Sequence, residues 1–113
     1  MKVFNHREVE AVDAGEGSFK LRVRWLITKD LGAENFAMRL FEMEPGGYSP
    51  LHTHPWEHEV FILEGEGIVT NGKESHKFSA GDVVFISPSE KHQFKNSGKR
   101  TLKFLCLIPY KEK

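Results

Sequence analysis

Six of the 113 residues are histidines, and three of these fall within seven positions. His52, His54 and His58 lie in the stretch Pro50-Leu51-His52-Thr53-His54-Pro55-Trp56-Glu57-His58-Glu59. Side chains two apart on an extended chain point the same way, so His52 and His54 can converge on one point. Pro55 bends the path and lets His58 return toward that point as the next strand begins. His92 follows a Pro-containing loop, where a neighbouring strand would bring it opposite. This is a ligand set for a divalent transition metal, because imidazole suits Mn, Fe, Ni, Cu and Zn. Four neutral ligands leave two positions of an octahedron open to an incoming molecule. Imidazole must be neutral to coordinate, so metal affinity is expected to fall as pH drops through about 6. His6 and His76 have no such company and read as ordinary surface or hydrogen-bonded residues.

Other side chains with chemical potential lie on extended segments. Arg39 stands in the apolar run Phe36 to Phe41, where it either grips a substrate carboxylate with a bidentate contact or pairs with a surface acid. Phe41 shares its parity. Near the C-terminus Phe104, Cys106 and Ile108 form one face, and Lys103, Leu105 and Leu107 the other. Lys103 points its own set toward solvent, which places Phe104 and Cys106 on a cavity wall. Cys106 there is either a soft ligand open to oxidation or a small core residue. Phe94, two after His92, is expected beside the metal.

The elements that must position these residues are strands, because a period of two dominates. Over 19–28 the odd residues Phe19, Leu21, Val23, Trp25 and Ile27 are apolar, and Lys20, Arg22 and Arg24 alternate with them as a solvated face. Further strands are expected at 36–43, ended by Pro45-Gly46-Gly47, then at 59–63 and 67–70. Asn71-Gly72 predicts a type I′ hairpin with positive φ at both residues, returning the chain over 73–78. Strands at 83–86, 92–95 and 101–108 complete the set, and 29–35 has room for only a helical turn. Many short strands with turns about ten residues apart imply an all-β sandwich or barrel.

Composition narrows the class. The length suits one domain, residues 1–113, with no linker or repeat. Sixteen basic and sixteen acidic side chains cancel, which argues against nucleic acid or an acidic membrane as main partner. The longest apolar run spans five residues, the N-terminus lacks a signal-peptide core, and the one cysteine suits a reducing compartment; a cytoplasmic protein is expected.

The chain resembles the cupins in two motifs. In the first, Gly46, His52 and His54 match a glycine, five residues, and His-x-His; in the second, Gly81, His92 and Asn96 match in place. Ser87 and Ser89 stand where the second motif has Pro and Gly, with Pro88 between them to stiffen the turn. The resemblance implies a jelly-roll β-barrel of the RmlC-like superfamily. Cupins often use Glu as third ligand, and His58 and Glu59 both compete for that place. The motif's spacing to Gly65 favours His58 and leaves Glu59 as the alternative, or as a residue that orients a ligand. Trp56 and Glu57 read as rim packing and an exposed acid.

Small cupins with four histidines around manganese are similar over residues 36–109, so the resemblance implies Mn, with Fe, Ni, Cu or Zn as other candidates. Two functions follow. One is a metal-dependent oxidoreductase of dioxygenase type, or a lyase of oxalate-decarboxylase type, acting on a small organic molecule. The other is a metal-containing ligand-binding or sensing module without turnover. In both, the partner is a small anionic or metal-chelating ligand, because the ion keeps its full charge. Open sheet edges make a homodimer the expected assembly.

Overall fold

A computed structural model describes residues 1–110. Nine strands run in order: β1 (Val12–Asp13), β2 (Phe19–Ile27), β3 (Phe36–Tyr48), β4 (His58–Glu64), β5 (Glu66–Thr70), β6 (Ser75–Ser79), β7 (Val83–Ile86), β8 (Gln93–Asn96) and β9 (Leu102–Pro109). Two short 3-10 turns, His6–Glu8 and Lys29–Leu31, are the only helical pieces among the described residues, and neither could cross a membrane. The strands form one curled, all-β sheet in the order β6-β5-β8-β3-β9-β4-β7, with β2 and β1 added beside β3. Every strand pair is antiparallel.

The alternation of β2 decides its inner face. Leu21 and Val23 are buried, whereas Lys20 and Arg22 are exposed. On the outer side Arg24 bonds Glu42 at 3.3 Å and donates to the carbonyls of His6 and Val9, which ties the N-terminal segment across β2. β1 is absent from the sequence reading, since two residues carry no period. It pairs Val12 with Val23.

β3 runs through Pro45-Gly46-Gly47 where a stop was expected. Leu21 pairs with Met43 and Phe19 with Tyr48, so the intervening residues of β3 loop out as a bulge and the strand resumes. Gly46 has φ +84°, and a Cβ on Gly47 would lie 2.8 Å from both the Met43 side chain and the Phe19 carbonyl. Only glycine fits at 47. The bulge lets one strand pair with β9 along its first half and reach β8 with Tyr48. Barrel curvature arises here.

The Asn71-Gly72 turn also differs from the expected form. Thr70 pairs with Ser75, so the connection has four residues and β6 starts at Ser75, not at 73. Of its two central residues only Gly72 has positive φ, at +98°. Asn71 instead accepts hydrogen bonds from the Lys73 and Glu74 amides at 2.8 Å, an Asx turn that competes successfully with the tighter hairpin.

The core contains Leu21, Met43, Val60, Ile62, Phe78 and Leu102 among others, with Met43, Ile62 and Leu102 fully enclosed. Asn96, buried at 5% exposure, donates to the carbonyls of Met43 and Arg100 at 2.9 Å and accepts from Gly98. A buried amide must be satisfied in this way or it destabilises the fold. Ser89, at the glycine position of the second motif, has φ +66°, a left-handed conformation disfavoured for a residue with a Cβ. Its amide donates to the His54 carbonyl. Ser89→Gly should therefore raise stability by up to about 1 kcal/mol, net of the extra freedom of glycine in the unfolded chain. Thermal unfolding checks this; a lower Tm would mean that the serine hydroxyl matters more than backbone strain.

Candidate metal centre

Backbone pairing brings the histidines together. His52 and His92 form a two-residue bridge, exchanging amide hydrogen bonds of 3.1 and 3.0 Å across the strands. Residues so paired project side chains to the same face. Ser49 secures the flank: its amide donates to the Phe94 carbonyl and its hydroxyl accepts from the Phe94 amide, at 2.9 and 2.8 Å. Two residues beyond His52, His54 has its carbonyl held by the Ser89 amide from the 87–90 loop.

The result is a cluster. One ring nitrogen from each of His52, His54 and His92 lies within 4.8 Å of the others. The His58 ring is 4.6 Å from that of His92 and 5.3 Å from that of His54, at the start of β4. Trp56 stacks on His54 at 4.3 Å, nearly parallel. Glu59 points the other way. It is exposed on the outer face of β4, in a groove with Phe61, Phe85 and Leu107, whereas His58 is only 6% exposed. The alternative third ligand is thus kept out of the cluster by strand parity.

The environment keeps these rings neutral. Burial is the chief cause, and neighbouring imidazoles and Arg39 add repulsion. His52 is lowered to about 4 and His58 to about 3, both from 6.5. His54 is lowered by the same causes, and His92 by burial against the opposing pull of Glu90. His92 Nδ1 lies 2.8 Å from the Glu90 carbonyl, which can only accept; the proton is therefore on Nδ1 and the Nε2 lone pair is free. His58 Nδ1 is buried without a hydrogen-bond partner. The three grouped imidazoles of His52, His54 and His92 could hold a borderline transition ion; His58 lies beside them by ring distance but outside that group.

The histidines open onto a cavity of about 350 Å3. Arg39, Phe41, Phe94, Phe104 and Cys106 all line it. Arg39 pairs across strands with Cys106 and donates to its Sγ at 3.0 Å. No carboxylate among the described residues reaches the guanidinium, and its Nε lacks a partner, so the surface-acid alternative does not hold. Its guanidinium lies 4.9 Å from the Phe41 ring and 5.4 Å from that of Trp25. Burial raises the Cys106 thiol pKa despite Arg39, which keeps the sulfur protonated and unreactive at neutral pH. Trp25 was legible only as one of the apolar odd residues of β2; its pairing with Arg39 brings it to the site. A larger cleft, about 520 Å3, runs outside between β6 and β7 and among the described residues shares only His92 with the cavity.

These shifts revise the pH expectation. A histidine whose folded pKa is depressed stays neutral while its unfolded counterpart takes up a proton below 6.5, so the unfolded form gains as pH falls. In metal-free protein this stability is fully present above pH 6.5 and is lost between 6.5 and the folded values, about 4 and 3 for His52 and His58. Urea midpoints of chelator-treated protein should drop between pH 7.5 and 5, with a shallower slope in His58→Asn. An unchanged slope in that variant would remove the burial argument. Proton competition for a metal should accordingly begin below pH 6.

Comparison with known proteins agrees with this architecture. The cupin domain family matches residues 39–108. The oxalate-binding protein of Thermotoga maritima is 33% identical over 96 residues, covering 81% of this chain and 78% of that protein. The polyketide cyclase RemF from Streptomyces resistomycificus has a TM-score of 0.90 at 31% identity, over 96% of this chain and 79% of that one. A predicted oxalate decarboxylase from Thermotoga maritima follows with a TM-score of 0.82 and 28% identity, over 97% and 100% of the two chains. Barrel, histidine cluster and family match agree: the chain belongs to the cupin family.

Proposed function

We propose that this protein binds a small organic acid at a divalent transition metal held by His52, His54, His58 and His92, and turns it over as an oxidoreductase or lyase. The observation that carries the reading is Arg39: a guanidinium with no carboxylate partner among the described residues, in the same cavity as the histidine cluster. A metal bound there, Mn by family resemblance, would supply fixed positive charge and, like Fe, access to one-electron chemistry. The protein's own residues do the rest. Arg39 receives a carboxylate in its planar fork, while Trp25 and Phe41 limit how far the guanidinium can swing. Phe94 and Phe104 exclude water from the cavity floor, which strengthens both attractions. The Glu90 carbonyl keeps His92 in the tautomer that offers Nε2.

A second reading, a binding module without turnover, is favoured by one finding: the relative from Thermotoga maritima with 33% identity is an oxalate-binding protein. We further propose a homodimer, since Phe61, Val83 and Phe85 leave an apolar face exposed on β4 and the edge strand β7.

Elemental analysis after dialysis should find about one transition ion per chain, and the double variant His54→Ala, His92→Ala should lose it. Unchanged metal content would refute the ligand assignment. Arg39→Gln should keep the metal yet weaken oxalate binding by roughly ten- to a hundredfold, the loss of one charged hydrogen-bonding contact. Calorimetric titration reads this directly. Carbon dioxide release or oxygen uptake against a panel of small acids then separates turnover from binding.

A further inference from the structure

The cavity is larger and more apolar than the smallest diacid needs. Its volume of about 350 Å3 falls in the range of sites that enclose ligands with substantial bodies. Its polar lining consists of the histidines, Arg39, Ser49 and the exposed acids Asp13 and Glu16. Much of the rest is built from Leu21, Val23 and Trp25 of β2 with Phe41, Phe94 and Phe104. Phe41, Phe104 and Phe94 form a stacked row, with centroids 5.2 and 4.9 Å apart and rings within 21° and 19° of parallel. Trp25 is 46% exposed although it lines this wall, so aromatic surface remains for a ligand to cover.

Charge placement points the same way. Arg39 is flanked by the rings of Trp25 and Phe41, so whatever is attached to a carboxylate on the guanidinium meets an aromatic surface. Among the described residues no second Lys or Arg lines the cavity, and the exposed carboxylates of Asp13 and Glu16 do line it. A second negative charge directed outward would face them and be repelled.

We infer that the ligand is an amphiphilic monoanion: a chelating carboxylate, such as a 2-oxo or 2-hydroxy acid, carrying an aromatic or branched apolar body. This rests on the proposed carboxylate site and names its substrate class. The head group reaches the histidine cluster and Arg39, and the body lies against Trp25 and the phenylalanine row.

The test is calorimetric titration of the full chain loaded with Mn(II), using pyruvate and phenylglyoxylate, which share a 2-oxo acid head group and charge and differ in carrying a methyl or a phenyl body. Oxalate serves as the reference for the anion site. Phenylglyoxylate should bind roughly tenfold or more tightly than pyruvate, the gain from covering an aromatic ring. Trp25→Ala should bring that ratio toward one. Oxalate binding with phenylglyoxylate no tighter than pyruvate would overturn the inference and leave the carboxylate site standing. If neither oxalate nor either oxo acid binds the loaded protein, the carboxylate site fails and the inference with it.

Discussion

Four imidazoles packed against one another in an apolar cavity cannot all carry charge. Most of the local construction answers to that constraint. Burial removes the water that would stabilise imidazolium, and each ring further disfavours a proton on the next. Arg39 adds a permanent positive charge to the same cavity. The two consequences are linked: a site that repels protons from its histidines leaves their lone pairs available, and it also welcomes anions. The backbone contributes without charge of its own, by bridging His52 to His92 and by accepting, at the Glu90 carbonyl, a hydrogen bond from His92 Nδ1–H.

β3 joins the chemistry to the fold. Its first half carries Arg39 and Phe41 toward the cavity, its bulge turns at Gly46 and Gly47, and its end delivers the chain to Ser49 and then to His52. Arg39 and the first two histidines of the cluster thus lie on a single continuous stretch. Asn96 bonds the Met43 carbonyl from the neighbouring strand, just before the bulge. A side chain forced in at Gly47 would therefore disturb the site as well as the sheet.

The parts of this molecule that are legible in the sequence are those governed by period and parity. Leu21, Val23 and Trp25 of β2 face the cavity because a strand alternates, whereas Phe19, across the register shift at Lys20, is left half exposed; the role of Trp25 beside Arg39 needs the β2–β3 register. Parity separates His58 from Glu59 but cannot say which faces in; the pairing of His58 with buried Ile86 does. The same holds for Cys106, whose face follows from its place opposite Arg39. What sequence patterns hide is local competition. Pro-Gly-Gly reads as a strand terminator until a partner strand makes it a bulge. Asn-Gly reads as a two-residue turn until the asparagine side chain captures two amides. Strand β1 exists only because β2 offers an edge.

Among the described residues His92 is the one common to the inner cavity and the outer cleft between β6 and β7. Shortening this side chain would therefore do more than delete a nitrogen: it would also remove material from a residue that borders both spaces. A phenotype of His92→Ala would mix lost coordination with lost enclosure, and an isosteric amide at the same position would keep the wall while changing the donor.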